Sequence, residues 1–316
     1  MIDAAGIAFQ ILQSVFVVLA APLLVGWLNQ CRAWLQNRKG PGVLRPYFVL
    51  WRLFHKEAVV ADHASVLFRA TPYVLFGCMW LAAGIVPVLA TDLPFAYAAD
   101  IIALVGIFAL ARIFIALAAM DTGTAFGGIG ARREMLIGFL AEPAMLMTLF
   151  TAAFLSNSTA LTTIVETLAH REFAIHPSLA CAAVAFLMVL LAENARIPVD
   201  NPATHLELTM IHEAMVLEYS ARHLALVEWA SAIKLFAYMT IGIALFVPWG
   251  IAEGSDWGGL PLALLALTAK LALAGAGLAV LETVSAKFRV FRAPEFLGTA
   301  FLLAVLGMLI YFLVNA

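Results

Sequence analysis

Long apolar runs separated by short connections that carry most of the charge dominate this chain. Eight runs can cross roughly 30 Å of hydrocarbon, near residues 5–28, 72–90, 99–119, 135–155, 177–192, 231–250, 260–281 and 295–314. The fifth is short, but it can continue as helix towards Arg196. Lipid offers the backbone no hydrogen bonds, so each run must satisfy itself as a helix. The pattern predicts an all-α integral membrane protein with about eight transmembrane helices and charged loops, built as one membrane domain over 1–316.

Composition agrees: of 316 residues, 64% are hydrophobic and 12% charged, against about 25% charged in soluble domains. The net charge of −2 gives no reason to expect a nucleic-acid partner. Cys31, Cys78 and Cys181 are far apart, so they form neither a disulfide framework nor an iron–sulfur motif. The opening "MIDAAGIAFQ" lacks the basic region of a cleaved signal, so the first run is expected to stay as a span. Lys and Arg set the orientation. Arg32, Arg38, Lys39, Arg45, Arg52, Lys56 and Arg69 follow the first run, Arg132 and Arg133 the third, Arg196 and Arg222 the fifth, and Lys287, Arg289 and Arg292 the seventh. The alternate loops hold only Arg171. The positive-inside rule then places the charged loops in the cytoplasm and both termini outside the cell's inner (plasma) membrane. Trp27, Trp229, Trp249 and Trp257 fit an aromatic belt.

The candidate chemistry gathers in "AENARIPVDNPATHLELTMIHEAMVLEYS", residues 192–220, which holds Glu193, Asp200, Glu207, Glu213, Glu218, His205, His212 and Arg196. Glu193 and Arg196, three apart, would share a helix face. Thr204 and Glu207 read as a capping box, with His205 and His212 on one face of the helix that follows. A solvated, salt-bridged loop is one reading. The other is a proton-handling cluster, because crowded carboxylates share protons and histidine titrates near neutrality. Metal binding lacks a third ligand. Charges within the spans are costly and point to function. Arg112 and Glu142 each lie seven residues from the charged ends of their spans, roughly 10 Å deep, where they could pair. Lys270 has no evident mate, and Glu228 leads into the sixth span.

Two further loops carry candidates for partner docking. In "NRKGPGVLRPYFVLWRLFHKEAV", residues 37–59, a Gly-Pro-Gly turn precedes an amphipathic run. That run places Leu44, Phe48, Trp51 and Leu53 to one side and Arg45, Arg52 and Lys56 to another. It can lie on the inner leaflet or, with Arg38 and Lys39, dock an acidic or redox-active partner. "DTGTAFGGIGARRE", residues 121–134, is Gly-rich but lacks a nucleotide-binding pattern, and reads as a flexible loop presenting Arg132 and Arg133 to a partner.

The motifs "RKGPG", "AENARIPVDNPATHLEL" and "EYS" resemble those of subunit 1 of respiratory complex I, over essentially the whole chain. The resemblance is nearer to the corresponding membrane subunit of formate hydrogenlyases and related group-four NiFe hydrogenases. Where complex I has an acid-rich "PEAE", this chain has Pro202, Ala203, Thr204 and His205, and only Glu207 remains of that acid set. The resemblance implies a subunit that is not itself catalytic and binds no cofactor or metal of its own. It would anchor a peripheral arm of iron–sulfur and large NiFe subunits and relay redox-driven charge changes to antiporter-like membrane subunits. The implied proton relay is Glu193, Glu207, Glu213, Glu218, Glu228, Glu142, Arg112 and Lys270, with His205 and His212 as secondary carriers, and Arg196 joins the docking residues. Two alternatives stay open: subunit 1 of a quinone-reducing dehydrogenase, and a stand-alone secondary transporter, which lacks the expected inverted repeats.

Overall fold

In a computed structural model of the chain, all residues are described except 1–3, 62, 92–99, 171–175, 197–209, 253–257, 287–291 and 316. Among the described residues, seven helices are long and apolar enough to cross a membrane. They are α1 (Ala4–Leu35), α3 (Val66–Ile85), α4 (Ile101–Asp121), α5 (Ala125–Ser156), α9 (Ala221–Phe246), α10 (Leu260–Val284) and α11 (Ala293–Asn315). The shorter apolar helix α7 (Pro177–Glu193) fills the position of the fifth expected span. The described residues also form the short helices α2 (Arg45–Phe54), α6 (Leu161–His170) and α8 (His212–Val216). Among the described residues there is no strand, only the isolated bridges Ala90–Ala252 and Asp100–Ala160 at one end of the bundle.

Helix α9 is central: 72% of its most apolar stretch is buried, against 28% in α10 and 22% in α11. It packs on α1, α3 and α7, while α5 joins α4, α7 and α11. The peripheral helices expose Leu262, Leu265, Leu273, Val284, Leu302 and Leu313, the pattern of a bundle wetted by hydrocarbon. Without a hydrophobic drive between helices in lipid, polar bonds and close packing hold them. Trp27 Nε1 donates to the Ala272 carbonyl at 3.0 Å, and Trp229 Nε1 to that of Val18 at 2.9 Å. Both tryptophans thus tie helix to helix, beyond marking a boundary.

Two expectations change on folding. Residues 121–134 are not a flexible loop, because α5 starts at Ala125, ten residues before the expected span. Thr124 caps it, its hydroxyl oxygen accepting from Gly127 N at 3.3 Å. The glycines serve close approach. A Cβ on Gly127 would run into the Ala119 carbonyl, and one on Gly130 would lie 2.9 Å from Ala214 Cβ and 3.0 Å from the Ile211 carbonyl. The amphipathic run does form α2, but Leu50 is its buried residue, while Phe48 and Trp51 are 63% and 69% exposed. The face expected to be apolar therefore points away from the bundle, as suits a helix lying in a bilayer interface.

The glycine packing predicts opposite outcomes for two adjacent substitutions. Gly127→Ala forces α4 and α5 apart and lowers the thermal midpoint of the detergent-solubilised protein. Gly128→Ala meets nothing within 4 Å and stabilises by about 0.5–1 kcal/mol, the helix-interior penalty of glycine. A midpoint unmoved by Gly127→Ala would remove the close-approach explanation.

Candidate functional site

Along α5 the residues Glu134, Gly138 and Glu142 recur every four positions and so share one face. Gly138 supplies a notch on that face: a Cβ there would strike the Arg112 guanidinium, which α4 lays across it. Arg112 is 4% exposed. Its Nε donates to Glu134 at 3.3 Å, its Nη1 to Glu142 and its Nη2 to Glu193, the last residue of α7. From α9, Lys234 Nζ lies 3.0 Å from the other Glu193 oxygen and donates to the Glu193 carbonyl at 2.7 Å. Among the described residues, four helices therefore meet in one ion network of three carboxylates and two cations. The carboxylates differ in access: side-chain exposure is 2% for Glu193, 12% for Glu134 and 33% for Glu142. A cavity of about 40 Å³ adjoins the network and is lined by Arg112, Glu134, Glu193, Asn194, His212 and Lys234 among others.

Arg196 does not pair with Glu193, because the helix ends between them. Asn194 closes α7, and Ala195 takes a left-handed φ of 49°, a conformation that glycine adopts without strain but alanine does not. The chain thereby turns Arg196 to the opposite side, where Nη1 donates to Glu282 of α10 at 3.3 Å. Arg32 Nε, from α1, stands 3.1 Å from the second Glu282 oxygen, a charge contact without hydrogen-bond alignment. Burial pushes the Arg196 guanidinium below its ordinary pKa; Glu282 opposes that shift and Arg32 adds to it. A chamber of about 290 Å³ between α1, α2 and α9 is lined by Asn29, Arg45, Asn194, Arg196 and Glu228 together with Pro22, Val25, Leu50 and Leu235.

The structure thus brings together Arg112, Glu142 and Glu193, with His212 beside their cavity, and sets Glu228 at the chamber. Glu213 and Glu218 are exposed on α8 and the turn after it. His205 and Glu207, with the expected capping box, fall outside the described residues. Lys270 is not brought to the network. It donates to the Val247 and Trp249 carbonyls just past the end of α9, a cation placed where a helix dipole favours one. Of the docking candidates, Arg38, Lys39, Arg45 and Arg132 are exposed. Arg133 is half-buried and donates to the Met210 carbonyl at 2.9 Å, and the Arg196 side chain is 16% exposed and turned inward on Glu282. Glu134, Lys234, Arg32 and Glu282 are members that sequence reasoning left out of the site. The four-residue ladder Glu134–Gly138–Glu142 was the signal available for the first of them. Among the described residues no three His, Cys, Asp or Glu side chains cluster as metal ligands.

The loop after α8 is fastened near this site. Tyr219 stacks on Phe68, ring centroids 4.1 Å apart, and donates to the Phe68 carbonyl at 3.1 Å. Burial, with Asp121 adding, raises the Tyr219 phenol above its ordinary pKa, so it stays a donor.

The family model described as NADH dehydrogenase matches residues 7–313, and the chain belongs to that subunit 1-like family. It is 33% identical over 301 residues to formate hydrogenlyase subunit 4 of Escherichia coli K12, covering 95% of this chain and 97% of that one. It is also 34% identical over 251 residues to hydrogenase-4 component C of the same organism, covering 78% and 77%. Among solved structures, a chain of the membrane-bound sulfane sulfur reductase, an archaeal respiratory membrane complex, superimposes with a TM-score of 0.80 at 18% identity. That match covers 96% and 98% of the two chains, a likeness of fold.

Because Arg112 serves three acids and Lys234 only Glu193, removing Arg112 together with Glu142 still strands Glu134. Arg112→Leu is expected to cost about 3–5 kcal/mol, the range for breaking a buried pair. Arg112→Leu with Glu142→Leu recovers little of that loss. Glu142→Leu alone costs least of the three acids, because its carboxylate is the most exposed. Gly138→Ala mimics Arg112→Leu by displacing the guanidinium. Thermal unfolding of the purified complex orders these variants, and a double variant restored to the unmodified midpoint would reduce the network to a simple pair.

Proposed function

We propose that the chain is the membrane-anchoring, proton-coupling subunit of a complex I-like, membrane-bound hydrogenase complex of the formate hydrogenlyase type. In this reading it links an iron–sulfur and NiFe peripheral arm to antiporter-like membrane subunits. The two Escherichia coli relatives, named as a formate hydrogenlyase subunit and a hydrogenase-4 component, support the assignment to that class. The observation that carries the coupling role is the imbalance of the buried network: three carboxylates face two cations. An uncompensated charge is costly in a low-dielectric interior, and one proton held within the network makes it neutral. Its position is a property of the group as a whole.

The rest of the relay follows from placement. Glu213 and Glu218 collect protons at the charged surface, with His205 and Glu207 in the same loop. His212 stands between that surface and the cavity at Arg112. The cavity exceeds the roughly 10–15 Å³ that a water needs, so hydrated transfer from His212 to Glu134 and Glu193 is open. Added negative charge in the peripheral arm favours the protonated network, and its removal releases the proton towards Glu142. Exposed Arg38, Lys39, Arg45 and Arg132 form the docking face on the cytoplasmic side, with both termini on the other. Lys270 is left to its capping role. The chamber beside Arg196 favours a second reading, a quinone-reducing dehydrogenase subunit. Its lining is mixed polar and apolar, and its volume is near the lower end of ligand sites.

The discriminating measurement is proton translocation per electron pair by the intact complex in vesicles. Glu142→Gln and Glu218→Gln are expected to leave assembly and electron transfer standing while lowering that ratio at least twofold, whereas Lys39→Ala weakens peripheral-arm binding without changing it. Unchanged ratios in both Gln variants would leave the network a structural brace. Stoichiometric quinone in the purified complex, with no nickel, would transfer the chain to the second reading.

A further inference from the structure

Helices α3 and α9 pack together, and their first turns carry cations where a helix dipole favours an anion. Arg69 lies in the first turn of α3, and Arg222 and His223 in that of α9. Neither turn contains an acid. Both arginines are exposed, and among the described residues neither side chain makes an ion pair or hydrogen bond. His223 is 6% exposed, and its ring stands edge-on to Tyr73 with centroids 6.0 Å apart. Arg69 and Arg222 both act electrostatically on that ring, so the three groups converge.

Nothing described on the protein balances them. Asp121, at the end of α4, accepts from the Ser65 backbone N–H at 2.8 Å, and Glu218 is exposed in the turn before α9. The start of α9 also lacks a side-chain cap, because the Ser220 hydroxyl is bonded to both backbone groups of Val59. Cations gathered at two helix N-termini without a counter-charge repel one another and raise the local positive potential. Deeper along α3 the same face turns apolar. By helical spacing Arg69 heads a row of Tyr73, Gly77 and Trp80. Tyr73 is 52% and Trp80 44% exposed, and a Cβ on Gly77 would meet nothing within 4 Å.

We propose that the first turns of α3 and α9 bind an anionic phospholipid, its phosphate held by Arg69 and Arg222 and an acyl chain laid along Tyr73, Gly77 and Trp80. Both helices are long enough to span, so their first turns lie at the depth of the lipid headgroups. A zwitterionic lipid brings its own cation towards two arginines, with no paired acid to receive it. A free phosphate leaves the apolar row unused. An acidic segment of a partner subunit would have to displace hydrocarbon from that row, whereas a lipid satisfies charge and apolar surface together.

The test offers the intact complex, in nanodiscs, phosphatidylglycerol or phosphatidylcholine bearing the same diazirine acyl chain. Adducts on α3 are mapped by mass spectrometry. Each arginine at a membrane surface favours an anionic lipid about fivefold, so the pair predicts about twentyfold more labelling by phosphatidylglycerol. Arg69→Gln and Arg222→Gln each lower that preference about fivefold, and the double variant levels the two lipids. Arg52→Gln, which removes an exposed cation of α2, changes it less than twofold. Both site arginines are exposed and unpaired, so the variants are expected to assemble. If one does not, the unmodified complex and the other variant still decide the matter. Equal labelling by the two lipids, or a preference retained in the double variant, would overturn the proposal. So would an Arg52→Gln effect as large as that of Arg69→Gln, which would mean diffuse surface charge. Benzoylphenylalanine at Tyr73 that captured a partner subunit instead of lipid would assign the site to a protein contact.

Discussion

A guanidinium cannot be left unpaired among apolar helices, and that constraint at Arg112 organises the centre of this protein. Satisfying it takes carboxylates from α5 and α7 in three directions. It takes a glycine at 138 so that the planar group can lie against α5, and Lys234 from α9 to limit the excess of negative charge on Glu193. Helices α4, α5, α7 and α9 are thereby held at set depths and rotations, which dispersion between similar apolar surfaces specifies only weakly in lipid.

The turn from Glu193 to Arg196 is where this network meets the second one. Within four residues the chain ends a helix, accepts a left-handed alanine and directs two opposite charges to opposite sides. Glu193 serves a network with an extra acid, and Arg196 one with an extra base, since both Arg32 and Arg196 meet Glu282. Asn194 lines both the cavity at Arg112 and the chamber at Arg196. A change of protonation on one side therefore alters the field felt on the other, through a short and conformationally constrained stretch of backbone.

Towards the bundle's edge the physics changes. Helices α10 and α11 present leucines outward with little specificity, and α2 exposes Trp51 and Phe48 where an interface would receive them.

Hydrophobic runs and charge placement were enough to read an all-α membrane protein and the depth match of Arg112 with Glu142. These are local consequences of composition and of a fixed helical rise, so they survive without tertiary information. The motifs around Gly40 and Glu193 likewise carried the family resemblance. Other features were decided only by packing. The Gly-rich stretch at 121–134 became helix because its glycines fit against Ala119 and Ala214, neighbours distant in sequence. Glu193 and Arg196 parted because α7 ended between them, and Lys270 found carbonyls of another helix's terminus. Which cation meets which carboxylate depends on how helices rotate about one another. Helical periodicity sets the face on which a charge lies, and only assembly of the bundle sets what that face touches.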